Sequence, residues 1–111
     1  MVENKQLSIY IGRMIELVNK IQKYTKNTKS FDDFEKDEQL VDSCLTPVTQ
    51  LGEIAWQIVR IYGYIWNIPY KELINMRNFL VHNYHKIDTR SLRNTIQNDI
   101  PELKKILLEY K

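Results

Sequence analysis

Leu7, Ile11, Met14, Val18 and Ile21 recur at i, i+4, i+7, i+11 and i+14, the spacing that lines one face of an α-helix with apolar side chains. The stripe predicts a first helix that fades near Asn27 and Thr28. Ser30-Phe31-Asp32-Asp33-Phe34 reads as a loop or the beginning of a helix. A long helical pattern follows, from about residue 37 to residue 66. Pro47 interrupts it, because proline lacks the N–H of the helical ladder and its ring crowds the preceding turn. Either the helix bends there or a short helix ends and a new one starts with Pro47 in its first turn. Gly52 and Gly63 fall on the same stretch, and glycine in a helix interior costs about 1 kcal/mol relative to alanine unless a close helix contact compensates. Gly52 is therefore expected at a tight crossing.

Beyond Trp66, Asn67-Ile68-Pro69 reads as a short link, with Pro69 opening a third helix at its first position, where the missing N–H is harmless. Leu73, Met76, Leu80 and Ile87 form that helix's apolar stripe. Asp88-Thr89 can cap a fourth helix carrying Leu92 and Ile96, which Pro101 either kinks or restarts into Leu103, Ile106 and Leu107. Near Pro47 nothing alternates with the period of two that a strand requires, which favours a bend or a restart there. The expected fold is all-α: a single domain over residues 1–111 built as a four- to five-helix up-and-down bundle.

Composition agrees with a soluble globular chain, since 43% hydrophobic and 27% charged residues supply a core and argue against a disordered protein. The lone cysteine, Cys44, has no second thiol for an internal disulfide or a cysteine-based zinc site. No signal-peptide pattern begins the chain and no apolar run approaches membrane-spanning length, so the cytoplasm is the expected location. The net charge of +2 is small but unevenly placed. Lys5, Arg13, Lys20, Lys23, Lys26 and Lys29 dominate the first 29 residues, and Asp32, Asp33, Glu35, Asp37 and Glu38 follow at once. Such a basic helix reads first as a solvated face, with a phosphate backbone or an acidic partner as the sharper alternative.

Candidate chemistry concentrates in Arg77-Asn78-Phe79-Leu80-Val81-His82-Asn83-Tyr84. A permanent cation, an imidazole and a phenol within barely two turns point to a site that handles phosphate. At about 100° per residue, Arg77 and Tyr84 stand beside the apolar stripe while Asn78, His82 and His85 turn away from the domain's own core. Within one regular helix Arg77 and His82 are poorly disposed to grip the same phosphate. Either the helix ends near His82, or a second copy of the segment lies across a two-fold axis and two Arg/His sets converge on one cleft.

Arg77-Asn78-x-x-x-His82-x-Tyr84 resembles the R-x4-H-x-Y pattern of HepT toxins in the HEPN superfamily. Leu51-Gly52-Glu53-Ile54-Ala55 is similar to the family's second-helix segment. Residues from Ile68 to Met76 resemble its lead-in to the motif, and Asn98-Asp99-Ile100-Pro101-Glu102-Leu103 its closing helix. The resemblance covers most of the chain from about residue 40 onward. It implies a homodimeric helical bundle that cleaves RNA without metal or cofactor, with Arg77 and His82 as the catalytic pair lining a cleft at the dimer interface and Asn78 as a supporting polar group. It also implies a toxin partnered by an MNT-type nucleotidyltransferase antitoxin, which uses ATP to attach AMP to Tyr84. The chain departs from the pattern at Asn83, where the family commonly has glycine, at His85, where it has an aromatic residue, and at Pro47.

The residues fit such chemistry. Cleavage through the substrate's own 2′-hydroxyl needs proton transfer, which an imidazole provides, and charge stabilisation, which a guanidinium provides through paired hydrogen bonds. DNA lacks that hydroxyl, so RNA is the expected substrate. Against this stand structural readings: Arg77 as an ion-pair residue with Glu53 or Glu72, His82 as a polar interface residue, and Tyr84 as a packed tyrosine. His82, His85 and Asp88 have a spacing that weakly suggests a metal, and Tyr62, Tyr64 and Trp66 read as packing aromatics. The rival function is a non-enzymatic helical dimer that binds nucleotides or proteins.

Overall fold

The computed structural model describes residues 4–28, 30–82 and 88–110. Helix α1 spans Lys5–Thr25. Its first turn is capped by Asn4, whose Oδ1 accepts a 3.0 Å hydrogen bond from the Leu7 N–H, satisfying one of the donors that a helix start leaves open. The predicted stripe is buried in full and Leu17 joins it. After a turn, Ser30 caps a six-residue helix α2, Phe31–Lys36, where a loop or helix start was expected.

Helix α3 runs unbroken from Glu38 to Tyr62, so the reading in which a new helix starts at Pro47 is overturned. Pro47 is buried inside it. Packing there offsets a ladder bond lost at the Ser43 carbonyl, a defect of about 3 kcal/mol in an unsupported helix. The expected extension to Trp66 also fails. Gly63 terminates α3 at φ +82°, and its N–H donates to the Val59 carbonyl at 2.9 Å. A left-handed backbone at that position favours glycine, and it turns the chain out of the helix.

Helix α4, Tyr70–His82, begins beside Pro69, whose carbonyl accepts the Leu73 N–H at 3.1 Å. Leu73, Met76 and Leu80 are buried as expected, and Ile87 lies outside the described residues. Asp88 caps α5, Thr89–Asn94, by accepting from the Arg90 and Ser91 N–H groups. A π-helical turn, Thr95–Asp99, then leads into α6, Ile100–Tyr110. The Ile100 N–H reaches back five residues to the Thr95 carbonyl, and the widened turn gives the ring of Pro101 room that a regular α-helix denies it. Pro101 thus stands in the first turn of α6, so the α-helix restarts there into Leu103, Ile106 and Leu107, one of the two expected readings.

The described residues thus form an all-α bundle of four rods, α1, α3, α4 and the α5–π–α6 composite, with α2 as a short fifth element. A single apolar core draws on every rod, from Leu7 in α1 to Leu107 in α6. Cys44 is fully buried within it, and burial pushes its thiol up to about 11, which keeps it protonated and unreactive. No helix among the described residues is long and apolar enough to cross a membrane.

Candidate active site

The most intimate contact in the bundle is the crossing of α3 and α4. Gly52 is buried on α3, and a Cβ there would collide with Arg77 Cβ and stand 2.6 Å from the Leu73 carbonyl oxygen. The missing side chain lets the two backbones approach, which is the role expected for this glycine. The crossing also places Arg77, because its Cβ is pinned against the bare backbone of α3 and its guanidinium must extend along that helix toward solvent.

The guanidinium lies in an open cleft of about 440 Å³ between α3 and α4, lined by Glu53, Trp56, Gln57, Ile74, Arg77 and Asn78. Arg77 Nη1 donates to Asn78 Oδ1 at 3.0 Å, and Nε stands 3.9 Å from Glu53 Oε1. Of the two expected carboxylate partners it is Glu53 that Arg77 meets. Glu72 lies along the α4–α5 side instead, where its charge and partial burial of the site raise the pKa of Asp99, burial being the larger cause. The Arg77–Glu53 pair is long and solvent-facing, with the side chains 33% and 52% exposed. Such a pair stabilises a fold by less than about 1 kcal/mol, so it orients the guanidinium more than it holds the protein together. Asn78 lies on the same side of the site, exposed and within bonding distance of its neighbour.

His82 is exposed in the last turn of α4 and does not line this cleft. Five positions separate it from Arg77, about 7.5 Å along the axis and about 140° around it, so within one copy of the chain the imidazole and the guanidinium face different directions. Tyr84 and His85 lie outside the described residues, and with them the expected modification site and the His82–His85–Asp88 spacing. Among the described residues no three His, Cys, Asp or Glu side chains gather as a metal ligand set.

Trp56 and Gln57 belong to the cleft although the motif did not point to them. Trp56 is 48% exposed, a large apolar surface left in solvent beside a buried core. Arg60 lies over its ring, 5.0 Å from the centroid, and donates to Gln57 Oε1 at 2.7 Å. The signal was present in the spacing Glu53, Trp56, Gln57, Arg60, which is i, i+3, i+4, i+7 and marks one helix face with an aromatic residue set among polar ones.

Residues 14–110 match the model of the HepT-like family, described as ribonuclease HepT-like. Similar proteins include "Gamma-glutamylcyclotransferase and putative RNase" of Methanocaldococcus jannaschii, 30% identical over 95% of this chain and 47% of its own length. The chain thus spans about half of that relative. "Probable ribonuclease HepT" of Thermococcus cleftensis is 29% identical over 86% of both chains. A "putative RNase" of Caldanaerobacter subterraneus subsp. tengcongensis is 32% identical over 72% of both. No solved structure matches the chain significantly. With the match running from the middle of α1 to the end of α6 and taking in the Gly52 crossing and the motif helix alike, the chain belongs to the HepT-like ribonuclease family.

Proposed function

We propose that this protein is an endoribonuclease that cleaves RNA without a metal ion, with Arg77 and His82 as its catalytic pair and Asn78 in support. The observation that carries the reading is Arg77 itself: a guanidinium fixed at a tight helix crossing, about a third exposed in an open cleft and tied to Asn78, in a chain of the HepT-like family. An arginine kept for packing alone needs neither the cleft nor the amide. In the reaction the substrate's 2′-oxygen forms a bond to phosphorus while the bond to the 5′-oxygen breaks. His82 serves the proton transfers, taking the 2′-hydroxyl proton or supplying one to the leaving oxygen. Arg77 binds the nonbridging oxygens and stabilises their charge as it develops.

Because Arg77 and His82 diverge on α4, the active assembly is a homodimer in which the guanidinium of one copy meets the imidazole of the other. The protein serves as the toxin of a cytoplasmic toxin–antitoxin pair, restrained by a nucleotidyltransferase whose ATP is attacked at its α-phosphorus by the Tyr84 hydroxyl, leaving AMP on the tyrosine and releasing pyrophosphate. Arg77→Ala and His82→Ala should each reduce cleavage of total RNA by about 100-fold or more while leaving the helical circular dichroism of the parent. A His82→Ala protein that cuts RNA at the parent's rate overturns the assignment. Co-expression with the nucleotidyltransferase should add one or more AMP units to the intact mass, and Tyr84→Phe should abolish the increment.

A further inference from the structure

We propose that Trp56 is a base-stacking subsite for an unpaired nucleotide next to the bond that is cut, which makes the enzyme selective for single-stranded RNA; this rests on the ribonuclease reading above. Trp56 shares its cleft with Arg77 and Asn78. A strand whose phosphate reaches the Arg77 guanidinium therefore runs through the same cleft as the indole, which offers an adjoining base a surface to stack on. Nearly half the residue is open to solvent. That leaves a broad aromatic surface at the wall of a cleft that also holds a cation.

The charge around the indole favours a polyanion as the occupant. Arg60 lies over the ring, held there by Gln57, while nearly half the residue stays open to solvent; a base can stack on that open surface with a cation about one helical turn away. Residues 63–69 connect the end of α3 to the start of α4, so Arg60 and Lys71 both lie on the connection side of the Gly52 crossing. Lys71, exposed at the start of α4, adds a second cation at that end of the helix pair. Guanidinium, indole, guanidinium is the alternation that single-strand readers use: cations track the backbone while an aromatic face takes whichever base arrives. A duplex keeps its bases stacked inside and cannot present one to Trp56.

The test uses a short single-stranded oligoribonucleotide with 2′-O-methyl riboses, which binds without being cut. Trp66→Phe leaves Trp56 as the sole tryptophan, and its fluorescence should be quenched saturably by the single strand and unchanged by the same sequence as a duplex. Trp56→Ala should weaken binding roughly tenfold and raise KM for RNA more than it lowers kcat, Trp56→Phe should restore most of the affinity, and Arg60→Gln should weaken binding and make its dependence on salt less steep. Unchanged affinity in Trp56→Ala, or equal quenching by duplex, overturns the proposal. So does a Trp56→Ala protein that sediments as a smaller species than the parent, because the indole is then an interface between copies. A parent that binds the oligonucleotide through Trp56 but cuts no RNA leaves the subsite standing and removes the ribonuclease reading; a parent that cuts RNA with Trp56→Ala indistinguishable from it does the reverse.

Discussion

Gly52 is the residue on which the site's geometry turns. Its absent side chain admits Arg77 Cβ and the Leu73 carbonyl to distances that no Cβ tolerates, and neither neighbour is the movable end of a flexible chain. Gly52→Ala must push α4 away from α3. The strain should lower stability by about 1–3 kcal/mol, readable as a reduced urea midpoint, even though alanine is the better helix former in isolation. The same displacement carries the Arg77 guanidinium with it, so cleavage should fall more than stability predicts. A variant as stable and as active as the parent would show that the crossing does not set the site. Gly12, by contrast, has open space around it, and Gly12→Ala serves as the control that gains helix propensity without a collision. The sequence made the crossing legible because a glycine in mid-helix requires a reason. It did not reveal that Glu53, rather than Glu72, faces Arg77, since that depends on how α3 and α4 are rotated against each other once they touch.

At the scale of elements, the apolar stripe of α1, the α4 stripe through Leu80 and the Asp88 cap follow directly from local chemistry, and they are found as read. The extent of α3 was not legible, because residues 63–66 continue an apolar pattern and only the positive φ of Gly63 ends the helix. The π turn was hidden for a similar reason: Pro101 announces a disturbance, but a kink, a restart and a widened turn all relieve the same clash. Two carboxylates on this last rod make opposite predictions. Asp88 accepts hydrogen bonds from the Ser91 hydroxyl at 2.7 Å and from two backbone N–H groups, which lowers its pKa. Its contribution is therefore present above the unfolded value near 3.8 and is lost as pH falls through the lower folded value. Asp88→Ala should cost about 1 kcal/mol at pH 7, the usual cost of losing such a cap, and the difference from the parent should shrink in strongly acidic buffer. Asp99 behaves in the reverse sense. Burial first and Glu72 second raise its pKa, so the folded state prefers the protonated form. Stability from that preference is complete below about 3.8 and disappears as pH rises through the raised folded value. Asp99→Asn should accordingly leave the protein as stable as the parent, or slightly more so, at pH 7, with the advantage absent at pH 3. A loss of stability at neutral pH would mean that the ionised carboxylate makes a contact worth more than its burial.

For the whole molecule, the decisive question is how a guanidinium and an imidazole that diverge on one helix come to serve one phosphate. A single copy offers Arg77 in the α3–α4 cleft and His82 outside it. If each copy worked alone, any mixture of Arg77→Ala and His82→Ala proteins would be inactive, because every copy lacks one of the two groups. In the proposed two-fold assembly the outcome differs. A mixed dimer pairs the intact Arg77 of one copy with the intact His82 of the other, which rebuilds one of its two composite sites and leaves the second doubly impaired. Random exchange makes about half of all dimers mixed, so an equal mixture should recover about a quarter of the parent's activity. The recovery should need time or mild denaturant for subunits to exchange, and should vanish when the two variants are cross-linked as homodimers beforehand. Mixtures that stay inactive although mass spectrometry shows the mixed species would remove the shared site. Arg77 and His82 would then have to meet within one copy, through a rearrangement at the end of α4.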